Sequence, residues 1–424
     1  MADYTLLGSP ENILYSKKSA IKLLDFGRNF PSSEGGSYYL GGDGNPLKDR
    51  PRETWITARM LHVYSIGSMA GIEGCKCLAE KAFQGLRGEL CDRENGGWVA
   101  GINADGSILP GKQCYAHAFV ILSGCSAYLA GIDGAEEFVE KALKVYDRFF
   151  WDEKNGMSCD LWDTTFKVLD EYRGLNANMH TVEAFLAAYD VLDRKEYLMR
   201  AGRIIEHTLA WAEEFSDYRL PEHYSNDWKP LPDLNKEKPD DPFKPYGATP
   251  GHGMEWARLI TQFALSMWGY EEKDGVIVPS KQAIPYIEKA EKLYERAYAD
   301  AWNADGAKGF VYTTDWDGKP VVHDRMHWTL AEAINTSAVL YNVTGRLRYR
   351  EDYAEYLSYL EESVLDSSCG SWFHQLDEKN RLKETVWPGK PDIYHAFQSM
   401  IIPHVSPDKS VAVEGGKFLS QIIV

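Results

Sequence analysis

Histidines are the side chains of this chain with the clearest capacity for chemistry. Five of the eleven lie at or near the start of a predicted helix: His117, His180, His252, His327 and His395. Arg59 holds a similar position in an earlier predicted helix. The partial positive charge of a helix start lowers the pKa of a histidine, and a neutral imidazole can accept a proton at pH 7. The shared placement favours an acid–base site, with a hydrogen-bonded core position as the alternative for any one histidine.

Two of these histidines are followed three residues later by a glutamate. The pairs are His180 with Glu183 and His252 with Glu255, and their spacing puts both side chains on one helical face. Two such pairs could ligate a metal ion. Because no HExxH motif is present, we instead predict that Glu255 orients or polarises His252 and that there is no metal site. The alternative is a helical pair that contributes only a few tenths of a kcal/mol.

The elements that must position these residues repeat along the chain. A small turn ringed by aromatic residues recurs about every sixty residues, at Gly35, Gly96, Gly156, Asp217, Gly309 and Gly370. Only the interval from 217 to 309 is longer, and it holds about thirty extra residues. A glycine turn with alternating aromatics, often followed by a second turn, predicts a short β-hairpin. The repeat therefore leaves room for two helices between successive hairpins.

Apolar residues at helical spacing predict twelve helices. These cover about 11–28, 52–71, 75–90, 113–130, 135–150, 177–193, 195–213, 252–269, 281–301, 327–344, 348–364 and 392–402. Six repeats of two helices predict an all-α fold, an (α/α)6 barrel with short β-hairpins joining helix pairs at one end. Closure is favoured over an open solenoid because it leaves no uncapped face. The first turns of the inner helices would then converge in one pocket.

One domain spanning 1–424 is expected, since no Pro- or Ser-rich linker divides the chain. The most polar stretch, 229–245, is interpreted as an inserted loop, either a lid or a solvated excursion. Oligomeric state stays open between monomer and homodimer.

Charge and motif content exclude several function classes. Lys and Arg total 46 against 63 Asp and Glu, which argues against nucleic acid or an anionic membrane as partner. There is no apolar run of membrane-spanning length. GxGxxG, P-loop and GxSxG motifs are absent, and we expect no cofactor. Seven cysteines without a CxxC pair predict reduced thiols in a cytoplasmic protein.

Several stretches carry a resemblance to a known family. They read RETWITARMLHVYS (52–65), KQCYAHAF (112–119), EYRGLNANMHTVEAF (171–185), GATPGHGMEW (247–256), VYTTDWDGKPVV (311–322) and KPDIYH (390–395). In this order they resemble the N-acylglucosamine 2-epimerase superfamily, most of all its aldose–ketose isomerase branch. The resemblance covers nearly the whole chain.

The resemblance implies an (α/α)6 barrel that performs sugar chemistry without a cofactor. It implies that His252 and His395 are an acid–base pair and that His180 contacts the sugar. Positions where relatives bind substrate are matched by Trp55, Arg59, Tyr115, Asn176, Glu255 and Gln375. We add His117, Trp316 and Trp387 to the candidates for sugar contact.

Isomerisation of an aldose to a ketose suits these residues. One base near neutral pKa can carry a proton from C2 to C1 through a cis-enediol, and we assign this role to His395. Ring opening and proton relay between O1 and O2 are assigned to His252, supported by Glu255. Arg59 would stabilise charge on the enediolate oxygens, and Trp55 could stack on the sugar.

The substrate is expected to be a neutral hexose, with D-mannose and D-fructose favoured. Some members of the family that this chain resembles act on sulfoquinovose, a sulfonated sugar. In those relatives, arginines precede the turn that begins at Gly247 in this chain. This chain has one cation there, Lys244, which does not easily replace a bidentate anion clamp. The alternatives are a sulfoquinovose isomerase, a sugar 2-epimerase, a glycoside hydrolase with paired carboxylates, and a non-catalytic sugar-binding protein.

Overall fold

The computed structural model describes residues 3–273 and 276–420. Within these residues the chain forms α1 (Pro10–Gly27), α2 (Thr54–Met69), α3 (Cys75–Arg87), α4 (Cys114–Leu129), α5 (Ala135–Phe149), α6 (Leu175–Leu192), α7 (Lys195–Glu214), α8 (Pro250–Trp268), α9 (Ile284–Ala301), α10 (His327–Thr344), α11 (Leu347–Tyr359), α12 (Tyr394–Ser399) and α13 (Val411–Ser420). A π-helical turn (Leu360–Val364) extends α11, and a 3-10 turn (Ile402–His404) follows α12.

Even-numbered helices α2 to α12 form an inner ring, and odd-numbered helices α1 to α11 surround it. The sequence explains this order, because α4 carries no Asp, Glu, Lys or Arg and is buried on nearly every side. Its neighbour α5 buries only one face. The predicted (α/α)6 barrel is confirmed. Although the inner helices are apolar, none of the helices in the described residues is long and apolar enough to cross a membrane.

The predicted helices match α1 to α12 with ends that differ by a few residues. The sequence did not predict α13, because Gly415 and Gly416 disfavour a helix. Both glycines face α2 at close range. A Cβ placed on Gly416 would lie 2.5 Å from the Met69 Cβ. Glycine is therefore required where α13 packs against the C-terminal end of α2.

Short strands lie in the connections that lead from an outer helix to the next inner helix, and one further pair lies between α8 and α9. They are β1 (Tyr39–Leu40), β2 (Pro46–Leu47), β3 (Arg52–Glu53), β4 (Gly101–Ile102), β5 (Lys112–Gln113), β6 (Trp151–Asp152), β7 (Met157–Ser158), β8 (Leu161–Trp162), β9 (Arg173–Gly174), β10 (His223–Tyr224), β11 (Tyr270–Lys273), β12 (Val276–Pro279), β13 (Thr313–Thr314), β14 (Pro320–Val322), β15 (Arg325–Met326), β16 (Leu365–Asp366), β17 (Ser371–Trp372) and β18 (Gln375–Leu376). All of their pairings are antiparallel.

The predicted glycine turns lie where an outer helix ends. Gly156 and Gly370 lie in the hairpins β6–β7 and β16–β17. Gly35, Gly96 and Gly309 lie in turns closed by single bridges. The turn at Asp217 has no strand pair, because Asp217 and Tyr218 adopt left-handed backbone angles directly after α7. Of the six predicted hairpins, two therefore have paired strands, three are turns closed by a single bridge, and one has no strand pair.

A second set of strand pairs joins neighbouring repeats. In β3–β4, β5–β8, β9–β10 and β15–β18, one strand directly precedes an inner helix and its partner belongs to the next repeat. The ring closes where the Lys390 backbone N–H donates to the Leu40 carbonyl at 3.0 Å, just before α12. These pairs fix the starts of the inner helices, which is the end where the predicted site residues lie.

The thirty extra residues predicted after Asp217 divide into two parts. One is the long segment 225–249 between β10 and α8, and the other is the hairpin β11–β12 between α8 and α9. Hairpin β11–β12 lies at the outer surface, whereas the long segment reaches the barrel mouth.

Replacing Gly85 by alanine should destabilise the protein. Alanine normally stabilises a helix interior relative to glycine by about 1 kcal/mol. Here a Cβ on Gly85 of α3 would lie 2.5 Å from the Gly36 Cα and closer to its amide nitrogen. Because backbone must move, we expect Gly85→Ala to lower the free energy of unfolding by about 1–3 kcal/mol in urea denaturation. Gly42→Ala is the control, since no atom lies within 4 Å of its Cβ. Equal stabilities of the two variants would contradict the close packing of this turn.

Candidate active site

A cavity opens at the N-terminal ends of the inner helices. Most of the predicted site residues line it: Trp55, Arg59, Tyr115, Asn176, His180, His252, Glu255, Trp387 and His395. His117, Trp316 and Gln375 do not. The wall also includes His327, one of the five histidines at predicted helix starts, and residues that the sequence analysis did not select, notably Trp328, His374 and Asp392.

His395 lies in the first turn of α12 and is 5% exposed. Its Nδ1 is 3.1 Å from Glu332 Oε1, and its Nε2 is 3.4 Å from Arg59 Nη2. Burial, helped by the Arg59 charge, lowers the pKa of His395 well below the usual value. Because the Glu332 carboxylate can only accept a hydrogen bond, His395 must donate to it from Nδ1. We therefore assign the proton to Nδ1 and the lone pair to Nε2. The result is a neutral base in the cavity wall.

His180 has the same arrangement on α6. Its Nδ1 lies 3.2 Å from Glu183 Oε2, which also accepts a hydrogen bond from the Tyr394 hydroxyl at 2.6 Å. Burial lowers the pKa of His180. Burial would raise the pKa of Glu183, but the contacts with His180 and Arg258 outweigh it and lower that pKa. The predicted pairing of His180 with Glu183 is therefore present.

His252 takes a different partner from the one predicted. Its Nδ1 lies 2.9 Å from Glu222 Oε2, although the two groups are not aligned as a hydrogen bond. Glu222 is 4% exposed and precedes β10. The carboxylate of Glu255 instead lies 3.8 Å from His180 Nδ1 and 3.5 Å from Arg258 Nη2. The predicted support of His252 by Glu255 is wrong in geometry, because Glu255 lies one helical turn deeper in the barrel.

Arg59 is the single lysine or arginine among the described residues that line the cavity. Its Nη1 pairs with Asp392 Oδ2 at 3.1 Å, and its Nη2 donates to the Tyr115 hydroxyl at 2.8 Å. The guanidinium also lies 4.9 Å from the Trp55 ring centroid. Because Asp392 neutralises this cation, the part of the wall that the structure describes offers no unpaired cation to an anionic substrate.

Glu255 is held in an unusual environment at the cavity floor. Burial, followed by the charge of Glu332, raises the pKa of Glu255 well above its ordinary value. Its Oε1 has no hydrogen-bond partner within the described residues. A neutral carboxyl group here can donate a hydrogen bond to a sugar hydroxyl.

One group of side chains has donor atoms close enough for a metal ion. His180, Glu183 and Glu255 place one donor atom each within 4.8 Å of one another. The guanidinium of Arg258 already lies 3.5 Å from Glu255 and 4.0 Å from Glu183. A metal ion would therefore lie beside a buried cation, which disfavours it electrostatically.

Two further histidines form a stacked pair in the wall. The rings of His327 and His374 have centroids 3.6 Å apart and are tilted by only 18°. Burial lowers the pKa of His327 to about 4. His374 was missed by the sequence analysis, which selected its neighbour Gln375. Because alternate residues of a strand face opposite sides, only one of the two can face the cavity, and that residue is His374.

Gln375 acts on the cavity through the backbone of a neighbouring segment. Its Nε2 donates to Asp324 Oδ2 at 2.6 Å. Its Oε1 accepts from the backbone N–H groups of Val386 and Trp387, at 2.9 and 3.1 Å. Gln375 therefore positions Trp387, which lines the cavity, without lining it itself.

The inserted loop predicted at 229–245 reaches the cavity mouth. Pro242, Phe243 and Pro245 line the cavity. The Phe243 ring is edge-on to Trp387, with centroids 5.4 Å apart. Lys244 points elsewhere, with its Nζ 3.7 Å from the centroid of the Tyr172 ring. The loop thus narrows the entrance with apolar side chains.

Comparison with known proteins identifies the family. A model of the N-acylglucosamine 2-epimerase (GlcNAc 2-epimerase) family matches residues 35–399. The chain belongs to this family. It is 38% identical over 386 residues to a D-mannose isomerase of Thermobifida fusca, covering 91% of this chain and 92% of that protein. A D-mannose isomerase of Pseudomonas cannabina pv. alisalensis is 37% identical over 364 residues, 85% of this chain and 86% of that protein.

A solved structure agrees with the fold. The crystal structure of a D-mannose isomerase superposes with a TM-score of 0.83 at 26% identity, covering 91% of this chain and 96% of that one. The resemblance to the N-acylglucosamine 2-epimerase family stated from the sequence is confirmed.

Two predicted sugar contacts of this family member lie away from the cavity. His117 Nε2 accepts the Trp98 backbone N–H at 3.0 Å, and its Nδ1 lies 2.7 Å from the Gln113 carbonyl. The Trp316 indole N–H donates to the Pro232 carbonyl at 3.1 Å. Both side chains have their polar atoms occupied by backbone, so they hold loops in place.

His117→Gln should change how stability depends on pH. Burial lowers the folded pKa of His117 to about 3, from an ordinary 6.5. Between these pH values the unfolded chain binds a proton that the folded protein does not bind. The contribution of neutral His117 to the free energy of unfolding is therefore complete above pH 6.5 and is lost as the pH falls. We expect the variant's unfolding free energy to fall less steeply between pH 6 and 4.5, by about 1.4 kcal/mol per pH unit. Urea denaturation at several pH values measures it.

The control for this experiment is His207→Gln, because His207 is exposed. Its slope should equal that of the unsubstituted protein. If His117→Gln also left the slope unchanged, His117 would not be a buried neutral histidine.

Proposed function

We propose that the protein is a cofactor-independent aldose–ketose isomerase that interconverts D-mannose and D-fructose. The observation that carries this proposal is His395, whose Nδ1 contacts Glu332 while its Nε2 faces Arg59 in the cavity wall. Two relatives that are 38% and 37% identical are D-mannose isomerases, which supports the same reaction here.

His395 is the base that moves the carbon-bound proton. Its Nε2 removes the proton from C2 of the open-chain aldose, the C1=C2 double bond forms, and O1 takes up a proton. The cis-enediol then loses its O2 proton as the C2 carbonyl forms, and His395 returns its proton to C1. No atom or electron is gained overall. Because the same nitrogen gives and takes the proton, one base on one face of the sugar is sufficient.

His252 and Arg59 serve the oxygen atoms. His252 lines the cavity and has Glu222 behind its Nδ1, so its Nε2 can relay protons to the ring oxygen and between O1 and O2. Arg59 is fixed by Asp392 and Tyr115, and it lies 3.4 Å from His395 Nε2. Its fixed charge stabilises negative charge on the enediolate oxygens without reorganisation.

A neutral monosaccharide fits this cavity best. Phe243 and Trp387 narrow the entrance, and aromatic rings such as Trp55 offer stacking faces to a sugar. Arg59 is neutralised by Asp392, and Lys244 lies over Tyr172, so a sulfonate finds no unpaired cation among the described lining residues.

A cytoplasmic location is part of the proposal. All seven cysteines lie in the described residues and are free, which is typical of a reducing compartment.

The proposal is tested by proton NMR of D-mannose with enzyme in D2O after exhaustive EDTA treatment. We expect D-fructose to appear, and we expect His395→Gln to lower the rate by at least about a hundredfold, the low end of acid–base contributions. Asn342→Gln, a partly exposed position far along α10, is the control. Glucose without fructose would indicate a 2-epimerase, and turnover of sulfoquinovose alone would overturn the choice of a neutral sugar.

The two glutamates near the histidines should respond differently to substitution. Glu222→Gln removes the anion beside His252 Nδ1, and we expect kcat to fall by about tenfold or more, with KM changed less. Because the pKa of Glu255 is raised well above its usual value, its carboxyl is already neutral and an amide resembles it. We therefore expect Glu255→Gln to retain more of kcat than Glu222→Gln. The reverse order, in steady-state kinetics with D-mannose, would restore Glu255 as the support of His252.

A further inference from the structure

Arg258 lies at the centre of a buried network beneath the cavity. It is one turn below Glu255 on α8, is 5% exposed, and does not line the cavity. Its Nε donates to Glu332 Oε2 at 3.0 Å. Its Nη2 lies 3.5 Å from Glu255 Oε1 and 4.0 Å from Glu183 Oε1. One guanidinium therefore faces carboxylates from three inner helices, α6, α8 and α10.

The two oxygens of each outer carboxylate are divided between Arg258 and a histidine. Glu332 faces Arg258 with Oε2 and His395 with Oε1. Glu183 faces Arg258 with Oε1 and His180 with Oε2. Arg258 therefore lies behind both histidines, with a hydrogen bond to the glutamate of His395 and a longer ion pair to the glutamate of His180.

Alternative sources of positive charge are scarce at this depth. Arg59 is paired with Asp392 at the cavity wall. The other groups packed on Glu183 are uncharged donors, the Tyr394 hydroxyl and the Gln398 amide. Without Arg258, the buried carboxylates of Glu183 and Glu332 would lie beside the Glu255 carboxyl with no cation between them, which costs several kcal/mol unless they move or bind a proton.

We propose that Arg258 is a positioning residue for His395 and His180. It holds the two glutamates so that each Nδ1–H donates to a carboxylate and each Nε2 lone pair faces the cavity. The roles of the two histidines rest on the function proposed above, whereas their orientation does not. If Glu332 loses Arg258 and binds a proton, it donates to His395 Nδ1, and the imidazole proton moves to Nε2. That tautomer cannot accept the C2 proton.

A planar fork is needed for this task. The Nε and Nη2 groups of Arg258 reach different helices at the same time, whereas a lysine ammonium is one point of charge. Charge alone, without this geometry, would leave Glu332 free to rotate away from His395.

Histidine tautomers can be observed directly, by NMR of protein labelled with ¹⁵N-histidine. In the unsubstituted protein we expect His395 and His180 to carry the proton on Nδ1, with signals assigned by His395→Gln and His180→Gln. In Arg258→Met we expect His395 to change to the Nε2–H tautomer or to a mixture. An unchanged His395 tautomer in a folded Arg258→Met protein would overturn the proposal. This readout needs no turnover, so it separates failure of this inference from failure of the proposed function.

Kinetics with D-mannose give the second test. We expect Arg258→Met to lower kcat by about a hundredfold, with KM changed less than about threefold, because the base is lost whereas the sugar contacts other than His180 remain. Arg258→Lys should keep the fold through its charge yet recover less than about a tenth of kcat. Full activity of Arg258→Lys would overturn the positioning role, and so would a loss that appears only in KM.

The matched control is Arg219→Met, which removes a partly buried guanidinium that lies outside the cavity lining and pairs with Asp300 at 2.7 Å. It should leave the histidine tautomers and kcat unchanged. Arg258→Met combined with Glu332→Gln should lower kcat little further than Arg258→Met alone, since both act on His395. Additive losses would place the effect of Arg258 outside Glu332 and overturn the proposal.

Discussion

Charge buried inside an apolar ring of helices is the constraint on which the rest of this structure depends. Four carboxylates and two guanidiniums lie near the barrel axis with almost no exposure: Glu183, Glu255, Glu332, Asp392, Arg59 and Arg258. Each isolated charge at this depth would cost several kcal/mol, so each must have a partner. Because the carboxylates outnumber the guanidiniums by two, a neutral carboxyl group is favoured, and the raised pKa of Glu255 lowers the excess of negative charge to one.

The histidines depend on this arrangement for their chemistry. Burial alone makes an imidazole neutral, but it does not decide which ring nitrogen carries the proton. That choice is made by the carboxylate behind Nδ1, and the arginines keep the carboxylates in place. The histidines can therefore present nitrogen lone pairs to a sugar because the carboxylates behind them are held by the two arginines.

The barrel architecture brings these groups together from distant parts of the chain. Strand pairs between neighbouring repeats fix the starts of the inner helices, and the Lys390–Leu40 hydrogen bond closes the ring. His395 and Arg59 are thereby neighbours although more than three hundred residues separate them. Because the repeats are arranged in a ring, side chains at equivalent positions of successive repeats converge at one end of the barrel.

Periodicity, helix starts and family motifs were readable in the sequence alone because they are local. They predicted the (α/α)6 barrel, twelve of its helices and nine of the residues that line the cavity. The isolated charges Glu332 and Arg258 in otherwise apolar helices were also visible in the sequence and could have been selected as site residues. Only the tertiary structure decided the partners, giving Glu222 to His252, Glu332 to His395, and a backbone contact to His117. Those choices depend on side-chain directions and distances across the barrel, which a one-dimensional pattern does not contain.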